Sequence, residues 1–137
     1  MQLEVSEVIE RSPEIVFDFV AVNHLRNHPR WDLHMHLEQV TDGPIGLGTV
    51  LRRRHTRAGA PIEGTMEVIE FDPPRAIAMR IHDGPVEMFG RQSIEPLGDG
   101  RCRFTISVDI PGMPNPLDPF PIAQSARRIK ELIEAET

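Results

Sequence analysis

The sequence holds one cysteine, one tryptophan and no tyrosine in 137 residues. Cys102 has no second cysteine to pair with, so an intramolecular disulfide is excluded, as is a zinc site of the usual CxxC or Cys/His spacing. A reducing, cytoplasmic setting is the expectation. Long apolar runs are also missing. The opening segment, MQLEVSEVIERS, alternates apolar and charged residues and has no basic stretch leading into an apolar one. Neither a signal peptide nor a spanning helix is therefore expected, and with them no stable membrane insertion. Positive charge is in deficit: 15 Lys and Arg against 21 Asp and Glu give a net charge of −6. A pervasive positive field is thereby excluded, and no nucleic-acid partner is expected.

What is present is a globular composition. Hydrophobic residues make up 39%, and the 13 prolines are spread mostly singly rather than in a low-complexity tract. The length suits a single domain over residues 1–137, long enough for a core and a modest internal cavity. Leu3, Val5 and Ile9 alternate with Glu4, Ser6 and Glu10, which is the period of a strand. Ser12-Pro13-Glu14 then reads as a helix start, with a capping hydroxyl, a proline that loses no bond and an acid at the positive end. Residues 23–30 read as a second short helix stopped by Pro29, with Trp31 just beyond it. From Leu33 onward six strands are expected, at 33–41, 49–57, 62–71, 76–82, 86–95 and 101–110, joined by short Gly- and Pro-containing turns. Residues 111–121 hold five prolines and read as an extended connection. Asp118 is placed to cap a last helix whose Ile122, Ala126, Ile129 and Ile133 share one face. The fold class is thus α+β: a seven-stranded antiparallel sheet with its helices segregated.

In this order and spacing the chain resembles the START-like or SRPBCC superfamily, the polyketide cyclase/dehydrase and lipid transport proteins of helix-grip fold. The likeness spans essentially all residues. It is carried by Ile9-Glu10-Arg11-Ser12-Pro13-Glu14-Ile15-Val16-Phe17, Asn27-His28-Pro29-Arg30-Trp31, Gly46-Leu47-Gly48-Thr49, Glu70-Phe71-Asp72-Pro73-Pro74-Arg75 and Pro96-Leu97-Gly98-Asp99-Gly100. The resemblance implies a curved sheet gripping a C-terminal helix, with an apolar tunnel between them that takes lipids, sterols, hormones or polyketides. It also implies cyclisation or dehydration in some members, and it places the second short helix, hence Trp31, beside the cavity mouth.

Several residue groups carry chemistry. His24 and His28 are four apart on a helix and His34 and His36 two apart on a strand, spacings that put imidazoles on one face as a metal site requires. They are read as unpaired histidines on a wet segment around Trp31, and no metal and no cofactor are expected. Within Arg52-Arg53-Arg54-His55-Thr56-Arg57, Arg53, His55 and Arg57 share one strand face with Leu51. Two readings stand there. Arg53 and His55 enter the cavity with Leu51, or they form a rim-exposed set paired with Glu63 or Glu67. Carboxylates are read as lying on outward parities, unpaired. The apolar strand parities include Met66, Met79, Met88 and Phe104, and flexible thioethers on facing strands suit an adaptable pocket. Gln92 shares the Met88 and Ile94 parity and is the uncharged polar side chain expected inside, where its amide needs a partner.

The favoured function is binding or carriage of a small hydrophobic molecule, with Trp31, Leu51, Arg53, His55, Met66, Met79, Met88, Gln92 and Phe104 as ligand-binding candidates. The alternative is a polyketide cyclase or dehydratase using Arg53, His55 or Gln92 in the same cavity. A third reading is an accessory protein with a vestigial cavity and a partner-binding surface. A monomer or homodimer is expected.

Overall fold

A computed structural model describes residues 2–57, 59–112 and 120–137, with the backbone alone at Arg57. The first strand, β1 (Gln2–Ile9), is followed by α1 (Pro13–Phe17), a π-helical turn (Asp18–Val22) and α2 (His24–Trp31). Six strands come next: β2 (His36–Gln39), β3 (Val50–Arg57), β4 (Ala60–Asp72), β5 (Ala76–Asp83), β6 (Val86–Gly98) and β7 (Arg101–Asp109). The last element is α3 (Phe120–Glu136). All seven strands form one antiparallel sheet in the order β1-β7-β6-β5-β4-β3-β2. Short turns explain the meander from β2 to β7, and the two N-terminal helices let β1 close against β7 rather than β2.

Ser12 caps α1 as its sequence suggests, its hydroxyl accepting from the Ile15 N–H at 3.4 Å. Expectations in this region are corrected at Pro29 and at the start of β2. Pro29 does not stop the second helix but lies inside it, because the Asp32 N–H still reaches the His28 carbonyl at 3.0 Å and closes the last turn. The link between the helices is a π-helical turn, closed by Asn23 N–H to the Asp18 carbonyl at 3.0 Å. Strand β2 begins at His36 rather than at residue 33. The Asp118 cap and most of the proline-rich connection fall on 113–119, outside the described residues.

The apolar stripe of α3 packs on the concave face of the sheet. Ala126, Ile129 and Ile133 are completely buried with Val16, Val20, Leu51, Phe104 and Cys102, while Ile122 is half-buried. Burying three such side chains stabilises the fold by several kcal/mol, on the order of 1.5–3 for each large aliphatic. Polar ties then fasten the C-terminal half of α3. Lys130 donates to the Val8 carbonyl at 2.7 Å, Glu134 accepts from the Glu10 N–H at 2.9 Å, and Arg127 pairs with Glu7 at 2.5 Å. Arg11 donates to the Glu134 carbonyl at 2.8 Å, and Arg30 of α2 pairs with Glu136. No helix of the described residues is long and apolar enough to cross a membrane.

Candidate functional site

Where the sheet curls away from the N-terminal half of α3, the two surfaces do not meet. A cavity of about 500 Å³ remains, bordered by α2, by the concave faces of β3 to β7, and by Pro121, Ile122 and Ser125 of α3. Strand register builds its floor. Met66, Ile81 and Met88 stand in one row across β4, β5 and β6, and Ile77, Gln92 and Ile106 form another across β5, β6 and β7. The first row is apolar and adaptable, because thioethers repack at little cost. The second carries one polar group between two isoleucines, and the Gln92 Oε1 atom is buried without a hydrogen-bond partner. A desolvated amide oxygen left unpaired costs about 1–3 kcal/mol.

A third row runs Arg53, Gly64, Asp83 across β3, β4 and β5. Arg53 Nε lies 3.0 Å from Asp83 Oδ1, its Nη2 donates to Oδ2 at 3.1 Å, and His55 Nε2–H donates to the same Oδ2 at 3.0 Å. The Asp83 side chain is only 1% exposed. Gly64 lies between the partners in the register. A β-carbon there would run into the His82 carbonyl oxygen and stand 2.7 Å from Asp83 Oδ1, so the absence of a side chain is what lets the guanidinium cross β4. Gly84, at φ +57°, makes the tight turn that follows Asp83. Arg53 faces the cavity; its fork is directed at the carboxylate.

The α2 wall is aromatic. Trp31 stacks on His28 with ring centroids 5.1 Å apart and meets His24 edge-on at 5.5 Å. The π-helical turn explains why these side chains point inward. It widens the backbone at Phe19 and Val20, whose carbonyls accept from the Asn27 side-chain amide at 2.9 Å and from His24 Nδ1 at 2.8 Å. His24 Nε2 then meets His28 Nδ1 at 2.9 Å. Burial pushes His24 down to about 4, with the Val20 bond opposing and Arg53 reinforcing the shift. Burial also holds His28 well below the ordinary histidine value, and the neighbouring His24, Arg53 and His55 push it the same way. Both rings are neutral at pH 7.

Of the residues expected at the ligand site, Trp31, Arg53, Met66, Met79, Met88 and Gln92 border the cavity. Leu51 and Phe104 do not, because core packing encloses both completely. His55 points inward but spends its Nε2 on Asp83 behind the wall, away from the lining. The rim-exposed alternative pairing with Glu63 or Glu67 is replaced by this Asp83 cluster, while Glu67 pairs with Arg80. The Arg57 side chain lies outside the described set. Trp31, expected beside the cavity mouth, is 4% exposed, because α2 runs through Pro29 and carries the indole inward. His24 and His28 are wall residues rather than wet ones, whereas His34 and His36 are exposed.

Asp83 is not among the sequence candidates, because it adjoins the Gly84-Pro85 turn signal and carboxylates read as lying on outward parities. It in fact continues the inward alternation of Ile77, Met79 and Ile81, the signal that could have found it. Among the described residues no three potential ligands gather for a metal ion. Cys102 is buried, and burial pushes its thiol up to about 11, with Glu14 adding to the shift, so it carries no thiolate at neutral pH.

A family model described as polyketide cyclase / dehydrase and lipid transport matches residues 1–136. No curated protein matches the sequence. Among solved structures, the fold is similar to a START superfamily protein from Mycobacterium smegmatis, at 17% identity and a TM-score of 0.78, covering 99% of both chains. It is similar to norcoclaurine synthase from Thalictrum flavum in complex with dopamine and hydroxybenzaldehyde, at 17% identity and a TM-score of 0.77, covering 100% of this chain and 88% of that one. It is also similar to major latex-like protein 151 from Panax ginseng, at 12% identity and a TM-score of 0.76, covering 98% and 95%. At these identities the likeness is one of fold.

Proposed function

The chain belongs to the polyketide cyclase / dehydrase and lipid transport family, and from that premise we propose that it binds or carries a small hydrophobic molecule between the sheet and α3. The observation that carries this reading is the cavity itself. At about 500 Å³, walled by methionine and isoleucine with a few polar atoms, it has the size and lining of a small-molecule site. The unpartnered Gln92 Oε1 supports the reading from the other side, since a donor on a bound molecule removes its desolvation cost. The polar groups around the cavity fit binding better than acid–base catalysis. Arg53 and His55 are committed to Asp83, and His24 and His28, titrating below neutrality, are not imidazolium acids at pH 7. The cyclase or dehydratase alternative rests on Arg53, whose guanidinium in the cavity wall is the group present to stabilise an enolate. Leu substitution of Arg53 together with Gln substitution of His55 abolishes turnover under that alternative, and unchanged kcat/KM on an identified substrate rules both residues out.

Trp31 reports occupancy, because it is the one tryptophan in a chain without tyrosine and its ring borders the cavity. Titration with a panel of fatty acids, sterols and fused-ring aromatics is expected to shift or quench its emission saturably, in step with calorimetric binding. Gln92→Leu weakens the polar members of the panel and spares the purely apolar ones. If calorimetry detects no binding across the panel, the carrier reading fails.

A further inference from the structure

The histidine pair on α2 does more than fill the wall. A carbonyl oxygen can only accept, so the 2.8 Å contact between His24 Nδ1 and the Val20 carbonyl fixes the hydrogen on Nδ1. In a neutral ring this leaves Nε2 bare. The 2.9 Å contact from His24 Nε2 to His28 Nδ1 then requires the hydrogen to sit on His28 Nδ1. His28 is neutral as well, held so by its burial, and its Nε2 is bare in turn. The backbone carbonyl freed at the π-helical turn thus dictates, through two rings, which atom of His28 is left for the cavity. That atom makes no hydrogen bond among the described residues. The nearest charged oxygen is Asp32 Oδ2 at 4.0 Å, itself an acceptor. Stacking on Trp31 holds the ring plane, and its interplanar angle of 17° leaves the Nε2 lone pair in a defined direction. Two acceptors side by side on the α2 wall attract a donor and repel another acceptor.

We propose that His28 Nε2 is a tautomer-locked acceptor that selects, among hydrophobic ligands, those carrying a hydroxyl group. The inference rests on the ligand-binding reading above and names its ligand class: an apolar alcohol or phenol, rather than its ether, ketone or carboxylate counterpart. Neither a carboxylate nor an ether offers a hydrogen to the bare lone pair. His24 acts as a positioning residue, since its Nε2 keeps the hydrogen of His28 on Nδ1.

The test uses two measurements on the full chain. The first is calorimetry with 2-naphthol and 2-methoxynaphthalene, matched in ring area and differing in the donor. Wild-type protein is expected to bind the naphthol about tenfold tighter, the worth of one net hydrogen bond. His28→Phe, which keeps a ring against Trp31, should bring the two affinities together by weakening the naphthol alone. The second needs no variant: nitrogen-15 spectra of histidine-labelled protein. Both His24 and His28 are expected as Nδ1–H tautomers, and the bare His28 Nε2 signal moves towards its protonated position as 2-naphthol is added. In His24→Phe the His28 tautomer redistributes, a change that loss of packing alone would not produce. Equal affinities for the two probes, or an Nε2–H tautomer at His28, overturns the inference and leaves ligand binding standing. Failure of both probes to bind overturns the inference and counts against the cavity reading with it.

Discussion

Asp83 shows how much one buried carboxylate determines. Its partners Arg53 and His55 lie on a strand that reads as a basic surface run, Arg52 to Arg57. Truncating one member of a buried charge pair leaves the other desolvated and unpaired, which costs about 3–5 kcal/mol, whereas replacing both by apolar groups costs far less. Asp83→Ala should therefore lower the urea unfolding free energy by an amount in that range, and Arg53→Leu with Asp83→Leu should recover most of it. An Asp83→Ala variant that unfolds at the wild-type midpoint would sink this account. The inward alternation at 77, 79, 81 and 83 was present in the sequence; what concealed it was the adjoining Gly84-Pro85, a turn signal that drew Asp83 into the loop. Gly64 was illegible for a different reason. A glycine within a strand marks a close approach only once the register names the neighbours.

The histidines of α2 carry a second residue-scale prediction. Unfolded histidine titrates near 6.5, but His24 in the fold titrates at about 4 and His28 well below 6.5. Between pH 6.5 and about 4 the unfolded chain binds a proton that His24 in the fold refuses, so stability falls as pH falls, by roughly 1 kcal/mol per unit for that ring, and His28 acts in the same direction. Above pH 6.5 this contribution is constant. Arg53, His55, Asp83 and Asp32 face the pair, and few ordinary carboxylates titrate between pH 6.5 and 5, which isolates the effect there. Chemical denaturation across that window should show a slope in the wild type that His24→Gln with His28→Gln flattens; equal slopes would refute it.

At the scale of elements, the strands and α3 were legible because alternation and a four-three-four apolar stripe are period signals. Ile129 stands at the centre of that stripe with no exposure at all. Ile129→Asp should cost several kcal/mol through an unpaired buried charge, read as a large fall in melting temperature. A melting temperature close to wild type would mean that the helix does not pack as described. The π-helical turn was not legible. Its composition, Asp-Phe-Val-Ala-Val, suits an ordinary helix, and the widened backbone is stabilised by side chains that lie ahead in the chain, His24 and Asn27. The inward direction of Trp31 depends on the same local geometry, which is why spacing alone does not show how deeply the indole is buried.

For the whole molecule, binding and stability are linked. A ligand that occupies the folded cavity stabilises the protein by about 2.7 kcal/mol at a hundredfold excess over Kd. The overall architecture could be read from motif order, since seven short strands with helices at fixed places admit few topologies. The cavity could be read only in outline, because its volume reflects how far the sheet curls from α3.

The fastening of α3 is uneven along its length. Its hydrogen bonds and ion pairs to β1, the Glu10–Arg11 segment and α2 fall on residues 127 to 136, whereas Pro121, Ile122 and Ser125 border empty space. Fastening in the second half and a cavity beneath the first give the helix unequal protection along its length. The backbone amides of residues 122–126 should exchange with deuterium well before those of 129–134, with no global unfolding, and a molecule filling the cavity should slow the early set and leave the late set unchanged. The roof of the cavity and the part of α3 that answers to its occupant are then the same stretch of helix, so amide exchange there doubles as a readout of occupancy.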